Sequence, residues 1–238
     1  MSSSPVPILD SHVHLWPAVE LDTIGWIKPD TPLHAQHSVD EFRAATSGPL
    51  KGCILVEADR GHGAAPGDWE RPLAELAFLA RVAAGKPRAG QGHSPSDASL
   101  CRGIVMWAPV AEGPDKLKEY LRKAKEAAGP AFRKIRGVRY LVQEKEAGTM
   151  LKDEFVQGLR LLGKAGLVFE LGVDQHRRGR AQLEEAVEMI DRAHEGVAEE
   201  EKVVVIVGEL SPLCSYLWRD RYTWPQSLVL WSYPATGK

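Results

Sequence analysis

The sequence is poor in cysteine, and the few cysteines it has form no recognisable pattern. Only three occur, Cys53, Cys101 and Cys214, and they are widely spaced with no C-x-x-C pair. An odd number at such spacing favours reduced, intracellular thiols over a disulfide framework.

A charge excess and a long apolar run are lacking as well. Lys and Arg total 30 against 32 for Asp and Glu, a net charge of -2, which argues against nucleic acid or acidic membranes as partners. The longest apolar run, 103–111, falls far short of the ~20 residues that span a bilayer. The first five residues carry no basic signal-peptide region. We therefore expect a cytoplasmic protein with a small-molecule substrate and no membrane or nucleic-acid partner.

What the chain does have is an ordinary globular composition, 44% hydrophobic and 26% charged. Short, β-branched apolar runs alternate with segments that carry an apolar stripe at helical spacing, as in repeated β–α units. The strand-like runs are Val6–Leu9, Cys53–Val56, Gly103–Trp107, Gly137–Val142, Leu167–Leu171 and Val203–Val207. Between the second and third, residues 86–100 are rich in Gly, Ser and Pro and predict a flexible surface loop.

Two architectures accommodate such repeats: an open doubly wound sheet and a (β/α)8 barrel. Neither a G-x-G-x-x-G fingerprint nor a phosphate-binding P-loop follows a strand. Polar residues instead follow several different strands, the arrangement of a barrel whose strand ends share one site. We predict an α/β fold of the (β/α)8 TIM-barrel type, incomplete, with about six β–α units and an atypical tail.

The sharpest chemical motif is His12-Val13-His14 at the end of the first strand. Because side chains alternate along a strand, both imidazoles lie on the same side. Two neutral imidazoles can reach one water or form half of a zinc site.

The motif and its context resemble a known family. The segment 8–16 (ILDSHVHLW) is similar to the opening of amidohydrolase-related TIM-barrel hydrolases, which include sugar lactonases and 2-pyrone-4,6-dicarboxylate lactonase. Further matches follow in chain order and extend the resemblance over about residues 5–207. They are 52–58 (GCILVEA), 103–107 (GIVMW), 135–143 (IRGVRYLVQ) and 166–171 (GLVFEL), the last followed by Gln175-His176.

The resemblance implies a hydrolase acting on a small lactone, ester or amide. Family members use the H-x-H pair, a His after the sixth strand and an Asp after the eighth. It implies His12 and His14 as catalytic residues and as ligands of a divalent metal, zinc or manganese. Some lactonases of this group work without a metal, so a metal-free water activated by a His/Asp cluster stays open.

The chain departs from the family after its sixth strand. Where the family continues with a His, the sequence reads 208–214 (GELSPLC), and no counterpart of the last two units follows. The predicted organisation is a partial barrel domain over 1–207 and an atypical tail over 208–238. A splice variant or a gene-model artefact would give such a C-terminally truncated relative. Within the tail, 227–231 is strand-like.

Other residues at strand ends are candidates for the site. We assign Glu170 a catalytic role, with an ion-pair role equally open. Arg139 is assigned the binding of a substrate carboxylate or lactone oxygen, with a surface salt bridge as the alternative. Further substrate-binding candidates are Glu57, His176 and Trp107, for which ion pairing, an ordinary loop histidine and barrel packing are the respective alternatives.

Two hypotheses of different classes follow. The first is an active lactonase-like hydrolase. The second is a catalytically inactive, truncated barrel that binds a ligand or associates with a full-length homologue. Open barrel edges also predict homo-oligomers or association through those edges.

Overall fold

A computed structural model describes residues 7–46, 48–61, 67–208 and 228–230, without the side chains of 175–177, 208 and 228–230. Strands and helices alternate along the chain. The strands are β1 Ile8–Val13, β2 Leu50–Val56, β3 Cys101–Trp107, β4 Ile135–Leu141, β5 Val168–Gly172, β6 Val205–Gly208 and β7 Leu228–Leu230. The helices are α1 Val39–Ala45, α2 Glu70–Ala84, α3 Pro114–Ala128, α4 Asp153–Lys164 and α5 Gln175–His194, the last interrupted at Gly179.

The chain divides into two compact units. Unit one comprises Met1–Trp107 and Tyr120–Arg136. It contains the parallel ladder β1-β2-β3, in which Asp10 pairs with Cys53 and Cys53 with Cys101. Because the three strands run parallel, their carboxyl ends lie at one edge of this ladder.

Helix α2 covers the ladder of unit one. Its Leu76, Phe78 and Leu79 are fully buried, as expected for one apolar face of an amphipathic helix. The helix ends at Gly85, whose φ of 63° is left-handed and allows Lys86 N–H to donate to Arg81 O.

Unit two comprises Ala108–Glu119 and Gly137–Lys238 and contains the parallel ladder β4-β5-β6-β7. Phe155 of α4 packs edge-on against Tyr140 of β4 and Phe169 of β5, with ring centroids 5.8 and 5.9 Å away. Gly137 allows β4 and β5 to approach, because a Cβ there would lie 2.6 Å from Val168 O.

Most strand predictions are confirmed within a few residues, and two details differ. Strand β1 starts later than predicted and continues through His12. Residues 86–100 are not simply a flexible loop, because a 3-10 helix over Pro95–Ser99 is anchored there by the buried Asp97, which accepts from Arg43 Nε at 2.8 Å. The strand-like run at 227–231 contains β7, which pairs in parallel with β6.

The predicted boundary at 207/208 stays a prediction, because residues 209–227 lie outside the described part of the chain. Among the described helices, none combines the length and apolarity needed to cross a bilayer.

Candidate active site

The two histidines of the H-x-H motif converge as strand alternation predicts. His12 Nε2 and His14 Nε2 lie 3.0 Å apart, and the rings meet edge-on with centroids 4.6 Å apart. Both side chains are half-buried at the carboxyl end of β1. Two imidazole nitrogens therefore point at one position that remains partly open to solvent.

The end of β2 fixes the tautomer of His14. His14 Nδ1 lies 3.2 Å from Val56 O, a carbonyl that can only accept. Nδ1 therefore carries the proton, and the lone pair of His14 is on Nε2, directed at His12. This is the tautomer that a metal ligand or a base acting through Nε2 requires.

A local irregularity in β1 sets the position of His12. The ladder with β2 shifts register between Asp10 and Val13, and Asp10 Oδ1 accepts from His12 N–H at 3.1 Å. The carboxylate thus replaces a lost ladder partner, and the strand end turns so that His12 and His14 meet.

Glu57 follows β2 and is 2% exposed. Its Oε2 accepts from Asp59 N–H at 2.7 Å, and Asp59 has a φ of 50°, which is uncommon for a residue other than glycine. The turn after β2 is thus held in a strained form by a buried carboxylate, next to the carbonyl that orients His14.

Trp107 at the end of β3 lies in an aromatic cluster. Its ring meets Tyr120 edge-on at 5.4 Å, and Trp69 meets the same tyrosine at 5.4 Å from another direction. Burial raises the pKa of Tyr120 well above its ordinary value, and the carboxylates of Glu75 and Glu57 raise it further. At 6% exposure, Trp107 has the environment of a packing residue.

In unit two, Arg139 and Glu170 are register partners on β4 and β5. Arg139 Nε lies 3.2 Å from Glu170 Oε1, and the two residues are 8% and 4% exposed. The alternative of a surface salt bridge for Arg139 is wrong, because the pair is buried. The ion-pair alternative for Glu170 is confirmed, while a catalytic or substrate-binding role stays a prediction for both.

The structure thus brings together His12 with His14, and Arg139 with Glu170. The side chain of His176 lies outside the described residues; its backbone belongs to the first turn of α5.

Two residues that contribute to this region were not singled out from the sequence. Val56 acts through its backbone carbonyl, which no residue-type pattern can reveal. Tyr120 lies on an amphipathic helix, where the sequence pattern indicates an ordinary core residue. Only the strand register, which places the ends of β1 and β2 side by side, contains a signal for Val56.

The fit of a metal to this site rests on the two imidazoles. Two ligands at the usual zinc–nitrogen distance in tetrahedral geometry are separated by about 3.3 Å, close to the 3.0 Å observed between the Nε2 atoms. Over the described ranges, no group of three His, Cys, Asp or Glu side chains forms a metal cluster. Within the described residues, the two imidazoles therefore account for two of the four ligands of a tetrahedral zinc site.

Comparison with known proteins gives a sequence relative. L-rhamnono-γ-lactonase from Scheffersomyces stipitis is 29% identical over 195 residues, which cover 79% of this chain and 58% of that enzyme. The chain thus spans little more than half the length of the curated relative it matches. No family model matches the chain.

Solved structures agree on the fold. Amidohydrolase 2 from Bifidobacterium longum subsp. infantis matches with a TM-score of 0.51 and 19% identity, over 87% of this chain and 65% of that protein. An amidohydrolase from Burkholderia multivorans with bound zinc matches with a TM-score of 0.52 and 20% identity, over 86% and 57% of the respective chains.

These neighbours first define the class, an incomplete (β/α)8-barrel fold of the amidohydrolase type, and so confirm the predicted fold. Together with the sequence relative, they confirm the resemblance to the amidohydrolase superfamily and, within it, to its lactonases.

Proposed function

We propose that the chain is a hydrolase of a small lactone, with esters and amides as related substrates. The observation that carries the proposal is the convergence of His12 Nε2 and His14 Nε2 at 3.0 Å, at the carboxyl end of a barrel-type strand. The lactonase relative supports a sugar γ-lactone as the substrate class.

The chain's own residues can position and deprotonate a water. Because Nδ1 of His14 carries the proton, its Nε2 can accept a proton from a water that binds at the two imidazoles. His12 then supplies a donor or a second acceptor to the same water, depending on its tautomer.

The same two nitrogens would hold a divalent metal. A bound metal lowers the pKa of a coordinated water and polarises the substrate carbonyl. The Val56 carbonyl then acts as the orienting partner of a ligating imidazole, the arrangement that maintains ligand basicity. The zinc in the Burkholderia neighbour supports this role.

A second group of residues remains proposed for substrate binding and catalysis: Arg139, Glu57, Glu170, His176 and Trp107. Arg139 and Glu170 would bind the substrate and assist proton transfer only if their ion pair opened, because each group now faces the other. Glu57 supports the turn beside His14 and is proposed as an orienting carboxylate.

The test is hydrolysis of a panel of sugar lactones and aryl esters, with and without added zinc or manganese. We expect turnover by the wild-type chain and a loss of at least ~100-fold in His12→Ala/His14→Ala. His34→Ala removes an exposed loop histidine and should leave turnover unchanged. Equal activity in the double variant would overturn the assignment of the site.

The second candidate is a catalytically inactive barrel that binds a ligand or a full-length homologue. It is motivated by the sequence after β6, which has no histidine between Gly208 and Lys238. A folded wild-type chain without turnover on the panel, yet with saturable lactone binding, would support this candidate over the first.

A further inference from the structure

A cavity of about 390 Å³ lies at the amino-terminal end of β3, and four of its lining residues are basic. We call it the basic cavity; it is lined by Ala98, Ser99, Cys101, Arg102, Arg133, Lys134 and Arg136. No carboxylate is among these residues, and all of them belong to unit one. Because unit one's strands are parallel, the cavity lies at the edge opposite to His12 and His14.

Two glycines make room for the arginine side chains. A Cβ on Gly52 would lie 2.6 Å from Arg102 Cγ and Nε, and a Cβ on Gly103 would lie 3.0 Å from Arg136 Cγ. Each arginine therefore crosses a neighbouring strand at a position where any other residue would displace it. This packing restrains the guanidinium groups before a ligand arrives.

Backbone carbonyls restrain the same side chains further. Arg102 donates from Nε and Nη2 to Lys51 O at 3.0 and 2.6 Å, and Arg136 donates from Nη1 to Arg133 O at 2.7 Å. These bonds use only part of each guanidinium, so the remaining N–H groups are available. Among the described residues, neither arginine forms an ion pair with a carboxylate.

Lys134 offers a ligand positive charge rather than hydrogen-bond donors. Its Nζ donates to Ala83 O, Ala98 O and Cys101 O at 3.0–3.1 Å, which occupies the ammonium group. Burial raises the pKa of the Cys101 thiol, while Lys134 and Arg136 oppose that rise. The positive potential of the cations thus reaches the wall of the cavity.

We propose that the basic cavity binds a small phosphorylated molecule. Planar guanidinium groups match phosphate oxygens, and several restrained cations with no carboxylate among the lining residues suit a multiply charged group. The cavity volume is within the range of small-ligand sites. The net charge of -2 favours a small ligand over a long polyanion.

The test is calorimetric titration of the full chain with inorganic pyrophosphate at constant ionic strength. We expect saturable binding that weakens at least ~10-fold in Arg102→Gln/Arg136→Gln, equivalent to about 1.4 kcal/mol. The matched control is Arg122→Gln/Arg180→Gln, which removes the same charge from exposed helix arginines paired with Glu126 and Glu184. Its affinity should equal that of wild type.

Arg133→Gln keeps the test decisive if the double variant fails to fold. Arg133 is exposed, and we expect its loss to weaken pyrophosphate binding without changing the thermal midpoint. Absence of saturable binding, or equal weakening in the control, would overturn the proposal. Binding of a single-stranded oligonucleotide but not of pyrophosphate would also overturn it, in favour of a polyanion surface.

Discussion

At the residue scale, the site depends on which nitrogen of each imidazole faces the other. A backbone carbonyl fixes His14, and an aspartate side chain places His12. The H-x-H spacing predicts that the two rings share a side, and this much is confirmed. The tautomer depends on the neighbouring strand, so the motif alone cannot supply it.

The buried ion pair Arg139–Glu170 yields a prediction of stability. Arg139→Met leaves a buried carboxylate without its guanidinium and should lower the free energy of unfolding by about 3–5 kcal/mol. Arg139→Met/Glu170→Met removes both charges and should cost less than the single variant. Urea unfolding of Arg139→Met, Glu170→Met and the double variant measures this, and a double cost equal to the sum of the two single costs would contradict a coupled pair.

Cys53 yields a prediction of pH dependence. Burial raises the pKa of its thiol to about 12, and the neighbouring Cys101 and Asp10 contribute to the rise. Between about pH 9 and about pH 12, the folded chain keeps a proton that the unfolded chain loses. The free energy of unfolding should therefore fall with rising pH, by up to about 1.4 kcal/mol per pH unit from this group.

Cys53→Ala isolates that contribution from the other groups that titrate in alkali. Urea unfolding from about pH 8 to about pH 10.5 should give a shallower decline for the variant than for wild type. Identical slopes would contradict the burial of an uncharged thiol at this position.

At the scale of the elements, most β–α units can be predicted because buried strands and amphipathic helices have distinct periodicities. The exceptions have physical reasons. Strand β1 contains a register shift at Asp10, so the apolar run ends before the strand does. The segment 86–100 is rich in turn residues, yet Asp97 anchors it through Arg43, a contact far away in sequence.

Helix ends yield a prediction in which two glycines are compared. Gly85 and Gly129 follow α2 and α3 with φ values of 63° and 53°. A Cβ on Gly85 would lie 2.6 Å from Pro95 O, whereas nothing lies within 4 Å of one on Gly129. Gly129→Ala should cost about 1–2 kcal/mol from the backbone alone, and Gly85→Ala should cost more. Equal costs in urea unfolding would contradict the close approach at Gly85.

At the scale of the whole molecule, the chain spans 58% of the lactonase relative and yet contains seven strands in its described residues. The sequence predicts β7 only as a strand-like run, because its partner β6 lies about twenty residues earlier and local sequence does not encode pairing. The roles of the strand-end residues depend on chemistry that the fold alone does not establish, so they remain proposals.

Association through a sheet edge is the prediction at this scale. Within the described ladder, β1 pairs with β2 alone, and its Ile8 and Leu9 are 40% and 57% exposed. Leu9→Lys should reduce self-association, because an edge charge opposes strand pairing. Val19→Lys places the same charge on another exposed residue, which lies in a 3-10 helix outside the strands. Sedimentation velocity over a concentration series compares them, and a monomeric wild type would contradict edge association.

The most direct measurement is the hydrolysis of L-rhamnono-γ-lactone, followed in a pH-stat through the acid that ring opening releases. Wild type and His12→Ala/His14→Ala are compared after circular dichroism has shown equal folding. We expect acid release by wild type and a loss of at least ~100-fold in the variant. Equal rates, or no acid release from folded wild type with zinc present, would contradict a hydrolytic site at the two histidines.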